Sequence, residues 1–347
     1  MLRFLSRMFG HTRSIKRLAD AAAPLMSNPR ATLPGVDAPI ADTMAKWSAR
    51  DAAFWLDRTS HVLARLRSDW QKDPDCAKWP DVLDLIDQLG GPAEEIVRQL
   101  PAAARDAMAI CDNAAIARTE LADRLSRDPS LVQGLLRQAN GAFYGAGLAP
   151  ILRVDSAIDR IGVAGTRAVV LASCVDGLLS KPGGAYDVML TAVWTHMVNT
   201  GPLARLIAPE FGADPEEAFA IALLHDVGKL VVFDRISTLR TAKRRSVELP
   251  PEWLSLAIEQ LHEPLGAVAA HRWGLGPHAA DAIGAHHRRQ RPAMRHPLAE
   301  TLFLAERAEH ASRDRDAFDF DGVWSLGQLP GDTVSGRGML GRHLRAA

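Results

Sequence analysis

The chain has 347 residues, 47% of them hydrophobic, enough for a sizeable core in about two domains. Lysine plus arginine equals aspartate plus glutamate at 41 each, so no bulk charge favours nucleic acid or an anionic membrane as the main partner. Cys76, Cys111 and Cys174 are far apart and odd in number, which excludes a disulfide framework and a thiolate zinc site and fits a reducing cytoplasm.

The start, "MLRFLSRMFGHTRSIKRLAD", interleaves arginines with apolar residues, so it is not a secretory signal, and no apolar run approaches the roughly 20 residues that cross a bilayer. Residues 1–40 read as a flexible tail, ending in the Pro/Gly-bearing "NPRATLPGVDAP". Residues 41–95 turn helical. Phe54, Trp55, Val62, Leu63 and Leu66 recur at helical spacing, and "WPDVLDLIDQLGG" stops at a glycine pair. This extension is expected to pack against the lobe that follows it, with Trp47, Trp55, Trp70 and Trp79 as packing residues.

A first helical lobe spans residues 96–180, with Asp128-Pro129 marking one helix start. In "LLRQANGAFYG", Asn140 suits a left-handed helix end and a structural role. The segment Leu179 to Asp187, "LSKPGGAYD", has the composition of a linker, and a second helical lobe runs over 188–312. Residues 313–347 are Gly-rich and read as loose. Strand signals are scarce, so the fold class is all-α with two lobes.

Most histidines lie in the second lobe. The stretch "FAIALLHDVGKLVVF", Phe219 to Phe233, sets His225, Asp226 and Lys229 inside an otherwise apolar run, read as one helix on which His225 and Asp226 lean toward one point. A buried His-Asp pair costs desolvation unless partners converge on it, and His196, His262 and His286 are the candidates. Imidazole and carboxylate donors together suit a divalent cation, and such a centre can activate water for attack on a phosphoester. The competing reading leaves each histidine as a helix cap, a partner for a buried carbonyl, or a solvated side chain.

The ordered motifs "LSRDPSLVQGLLRQANGAFYG", "VDSAIDRIGVAGTRAVVLA", "FAIALLHDVGKL" and "HEPLGAVAAHRWGLGPHAADAIGAHH" resemble the HDOD family, the HD-related output domain of bacterial signalling proteins, over about residues 96–312. The resemblance implies a two-lobed helical fold whose second lobe is related to HD-type metal phosphohydrolases, and a regulator without established catalysis. Its ligand pattern would fall on His196, His225, Asp226, His262, His286 and His287, with a final acid near Glu306 where these enzymes carry aspartate. The implied cofactor is a divalent metal such as Fe, Mn, Zn or Mg. After His287 the chain reads "RRQRPAMRHP" without a "GYP" segment, which argues against hydrolysis of cyclic di-GMP.

Lys229 could meet a bound phosphate or snorkel from a helix end, and the basic triplet Lys243 to Arg245 reads as a loop face. Dinucleotide, P-loop and serine-hydrolase signatures are absent. The expected function is a cytoplasmic signalling regulator that binds a protein partner or small ligand, with nucleic acid disfavoured. The alternative is a metal-dependent phosphohydrolase in which Asp226 and Lys229 are catalytic.

Overall fold

A computed structural model describes residues 50–100, 106, 109, 118–145, 148–178, 183, 185–287 and 296–313, and no strand occurs among them. Residues 1–40, Trp47, Cys111, most of the "RRQRPAMRHP" run and the chain beyond residue 313 lie outside the described residues. The extension comprises α1 (Ala52–Gln71), α2 (Asp81–Leu89) and α3 (Ala93–Ile96). The first lobe holds α4 (Arg118–Leu125), α5 (Pro129–Ala139), α6 (Ala142–Gly145), α7 (Val154–Ile161) and α8 (Val163–Leu178). The second holds α9 (Ala185–Ile207), α10 (Pro215–Ala222), α11 (Val227–Lys243), α12 (Pro251–Arg272), α13 (Pro277–Gly284) and α14 (Pro297–Arg313). No described helix is long and apolar enough to cross a membrane.

The core of the second lobe is α12, buried along most of its length from Trp253 to Ala270. Helix α1 lies antiparallel on it. Trp70 meets Trp253 with ring centroids 6.1 Å apart, Arg65 donates to Gln260 at 2.7 Å, and His271 Nε2 stands 3.2 Å from the Arg50 carbonyl. Asp51 caps the helix by accepting from Phe54 N at 2.8 Å. The stripe Trp55, Val62, Leu63, Leu66 and Trp70 is buried, each side chain worth roughly 1.5–3 kcal/mol. The expected packing against the first lobe is therefore corrected: the extension packs on the second, because α12 offers the apolar surface that matches this stripe.

Polar ties fix the same placement. Asp81 at the start of α2 accepts from Lys243, from both terminal nitrogens of Arg245 (2.7 and 2.8 Å) and from Glu248 N (2.8 Å). Arg244 between them takes the left-handed conformation at φ 53°, ending α11. The triplet read as a loop face is thus a clamp on an acid about 160 residues away. Burial pushes the Asp81 carboxyl up, but Arg245, Lys243 and the Glu248 N–H outweigh it and hold it below the usual carboxylate range. A carboxyl depressed on folding contributes stability that is complete above its unfolded value and is lost as pH falls from there toward the folded one. Asp81→Asn is expected to cost about 2 kcal/mol at neutral pH and to flatten the acid loss of stability below about pH 4. Urea unfolding across pH checks both.

In the first lobe Asp128 caps α5 through Leu131 N at 3.2 Å, as its position before Pro129 predicts. Asn140 is structural, though not by a left-handed turn: its amide donates to Ile151 O at 2.8 Å and accepts from Ile151 N at 2.7 Å, closing the loop between α5 and α7. Arg160 braces the same loop through Ala139 O and Ala149 O. Where the lobes meet, Tyr144 packs edge-on against Phe219 with centroids 6.0 Å apart, and Arg205 pairs with Glu216.

Candidate metal centre

His225 and Asp226 do not lie within a helix. Residues 223–226 form a turn between α10 and α11, with Leu224 N bonding Ile221 O and Val227 N bonding Leu224 O, both at 3.0 Å. The tightened turn delivers two consecutive side chains to one interior point, where a continuous helix would hold them about 100° apart. Just beyond it Gly228 lets α11 touch α12 backbone to backbone: an added Cβ would overlap the His262 carbonyl oxygen. That contact brings the Asp226 carboxylate to His262.

Four imidazoles surround the carboxylate. Asp226 Oδ2 is 3.6 Å from His225 Nε2 and 3.7 Å from His196 Nε2, while Oδ1 is 3.7 Å from His286 Nε2 and 3.9 Å from His262 Nε2. Lys229 donates to Oδ2 at 2.7 Å. His196, His225, Asp226, His262 and His286 are all at most 1% exposed.

The far ring nitrogens settle the protonation pattern. His225 Nδ1 meets Ala222 O at 2.8 Å, His262 Nδ1 meets Ile258 O at 2.8 Å, and His286 Nδ1 meets Ile283 O at 2.6 Å. A carbonyl only accepts, so each Nδ1 carries a proton and each Nε2 is left pointing inward. His196 Nδ1 lies 2.7 Å from Glu309 Oε2, and His287 Nδ1 lies 3.2 Å from Glu306 Oε1. Burial, helped by His196 and His286, pulls His225 down to about 3 against the pull of Asp226. Burial likewise holds His262 and His287 well below the usual imidazole range. These rings stay neutral, the form that ligates a metal.

Inward nitrogens consequently meet in two pairs. His196 and His225 bring their Nε2 atoms to 3.1 Å, and His262 and His287 bring theirs to 2.8 Å. In the second pair both rings are neutral with Nδ1 turned to Ile258 O and Glu306, so two acceptors face each other there and repel unless something positive stands between them. Asp226 Oδ1, His286 Nε2 and Glu306 Oε2 are buried and make no hydrogen bond. Burial pushes Asp226 and Glu306 up, but Lys229 beside the first, and His287 and His310 beside the second, reverse it and hold both ionised. Ligand atoms of His196, His225 and Asp226 lie within 4.8 Å of one another, as do those of His225, His286 and Glu306 and those of His262, His286 and His287. The orphaned carboxylate oxygens and the Nε2 atoms of the neutral His225 and His262 rings are acceptors, so a divalent cation fits the donor set.

A family model described as HDOD domain matches residues 97–289. The chain belongs to the HDOD family. Among solved structures, this HDOD protein is similar to a candidate phosphohydrolase from Shewanella amazonensis SB2B at 24% identity and TM-score 0.56, covering 75% of this chain and 93% of that one. It is also similar to an HDOD domain protein from Geobacter sulfurreducens at 21% and 0.51, covering 72% and 92%. A candidate signal transduction protein from Marinobacter aquaeolei VT8 aligns at 18% and 0.51, covering 85% and 67%. These likenesses show the fold. The HDOD chain spans about two fifths of an uncharacterized protein of Treponema pallidum and about a seventh of a ribonuclease Y of Opitutus terrae, the curated relatives it matches.

Each of the expected positions His196, His225, Asp226, Lys229, His262, His286, His287 and Glu306 is in the cluster. Lys229 neither snorkels nor stands free for phosphate; it is 5% exposed and bonded to Asp226. Sequence reasoning missed Glu309 and His310, which follow Glu306 by three and four residues on one face of α14, and Glu263, which accepts His287 N at 3.0 Å. All of α14 lies beyond the matched span of the HDOD protein. His287 and His310, each 22% exposed, flank Glu306 at the solvent edge of the cluster.

Proposed function

We propose that this HDOD protein is a bacterial, cytoplasmic signalling regulator that binds a protein partner or small ligand, and that a divalent metal organises its second lobe. The facing Nε2 lone pairs of His262 and His287, with the inward Nε2 atoms of His196 and His225 beside Asp226, carry this reading. His196, His225 and Asp226 would hold one cation, and His262, His286, His287 and the far oxygen of Asp226 a second, with Glu306 beside both. Five imidazoles favour Fe, Mn or Zn over Mg, which prefers oxygen donors and water. Bound there, the metal would supply positive charge that ties α9, the turn at 223–226, α12, α13 and α14 to one point. Glu309 holds the His196 ring in its ligating orientation, as a carboxylate behind a metal-bound histidine does.

One observation favours the second reading, a metal-dependent phosphohydrolase: the two oxygens of Asp226 face separate histidine sets, the layout of a carboxylate shared by two cations. A regulator is preferred because the carboxylate is wholly buried and the Lys229 ammonium is already bonded to it. Elemental analysis and turnover of a generic phosphodiester separate the two. The regulatory reading expects about one or two metal ions per chain, a rise in melting temperature on adding Mn²⁺ to chelated protein, and no turnover. Turnover would establish the second reading, and a metal-free protein indifferent to Mn²⁺ would remove both.

A further inference from the structure

The family match begins at residue 97, yet the helix that precedes it reaches the frame supporting the histidines. Trp55 on α1 is 2% exposed, and its indole N–H donates to Asp281 Oδ1 on α13 at 3.2 Å. The other oxygen of that carboxylate accepts Arg50 N, also at 3.2 Å, so one acid on α13 secures the start of α1. The indole ring rests against Gly284. An added Cβ there would lie 2.5 Å from Trp55 Cζ2, and only glycine lets the ring come so near the α13 backbone. The residue before Gly284 is Ile283, whose carbonyl takes the His286 Nδ1 proton at 2.6 Å.

Three links therefore run from the extension to a ring whose Nε2 has no partner and faces Asp226 Oδ1: Trp55 on Gly284, Gly284 to Ile283 along the chain, and the Ile283 carbonyl to His286. We infer that the helical extension is an input element of the histidine cluster, with Trp55 a positioning residue that holds the end of α13 and thereby the direction of His286. A shift of α1, whose Phe54 is 45% exposed beside Trp55, would be felt at His286 before the rest of the cluster. His225 is an internal control, since its direction comes from Ala222 O at the end of α10.

The consequence for metal affinity rests on the reading proposed above, whereas the direction of the ring does not. Imidazole nitrogen spectra of metal-free protein, with His286 and His225 followed separately, are the first measurement, and Mn²⁺ affinity by chelator competition is the second. Trp55→Ala and Gly284→Ala are expected to shift the His286 Nδ1–H signal and quicken its exchange, leave that of His225 in place, and lower Mn²⁺ affinity about tenfold. Trp55→Phe keeps most of the ring and loses only the donor to Asp281, so it decides the matter by a smaller shift of the same signal if the other two variants do not fold. An unmoved His286 signal in a variant with a lowered melting temperature would overturn the inference, as would equal shifts at His225 and His286. Wild-type protein that takes up no Mn²⁺ would defeat the metal reading, and the His286 signal would still judge this one.

Discussion

Asp226→Ala is expected to cost the metal-free protein about 3–5 kcal/mol and to strip the purified protein of divalent metal. The carboxylate is fully buried and is the partner of the Lys229 ammonium at 2.7 Å, so truncation leaves a buried cation without its counter-charge. It also removes the one group that both inward-facing histidine sets share. Asp226→Asn separates the two roles. Its amide oxygen can still accept from Lys229 but supplies no counter-charge, so stability without metal should fall by less than in the alanine variant. The neutral amide is a poor metal ligand, so the ion should be lost as in the alanine variant. Urea unfolding in chelator and elemental analysis read both quantities. Full metal retention in either variant, or unchanged stability of Asp226→Ala, would show that Asp226 does not hold the cluster together.

How much of this was legible in the sequence depends on whether the partner of a residue is local. An imidazole and a carboxylate inside "FAIALLHDVGKLVVF" announce convergence, because burying them alone costs too much, and the cluster answers that demand with four rings around Asp226. The break at 223–226 was not readable. No proline or glycine stands between Pro215 and His225, and the turn is imposed by tertiary packing, with His225 Nδ1 bonding the last carbonyl of α10. Glu309 was missed because an acid late in an amphipathic helix is ordinarily solvated, and only the arrival of His196 from α9 makes it a buried acceptor.

The extension shows the same division. The apolar stripe from Trp55 to Trp70 was visible as a helix, but a stripe states only that something must cover it. Its true cover, α12, is about 200 residues away in sequence, as is the acid on α13 that receives the Trp55 indole. Lys243 and Arg245 likewise resemble any exposed basic run until Asp81 is placed beside them.

Gly228→Ala should be the most damaging single methyl in the second lobe. Alanine favours a helix over glycine by about 1 kcal/mol, so local propensity predicts a small gain at this position in the first turn of α11. The neighbouring backbone predicts the opposite. The new Cβ would overlap His262 O and sit 2.7 Å from both His262 C and Gly266 N, and those atoms belong to the backbone of α12, where no flexible side chain can yield. The helices must separate, which moves the His262 ring from Asp226 and breaks packing along a buried crossing; the expected cost exceeds about 4 kcal/mol. Gly266→Ala is the matched comparison. Its Cβ would meet Ile283 Cγ2 at 2.8 Å, the end of a side chain that can turn aside, so a loss of about 1–2 kcal/mol is expected. Thermal unfolding of the two variants, each with chelator and with Mn²⁺, ranks them. The metal should rescue Gly266→Ala and leave Gly228→Ala unrescued, because only the latter displaces a ligand. An equal or smaller loss in Gly228→Ala would mean that α11 and α12 do not meet at this glycine, and that the approach of His262 to Asp226 has some other origin.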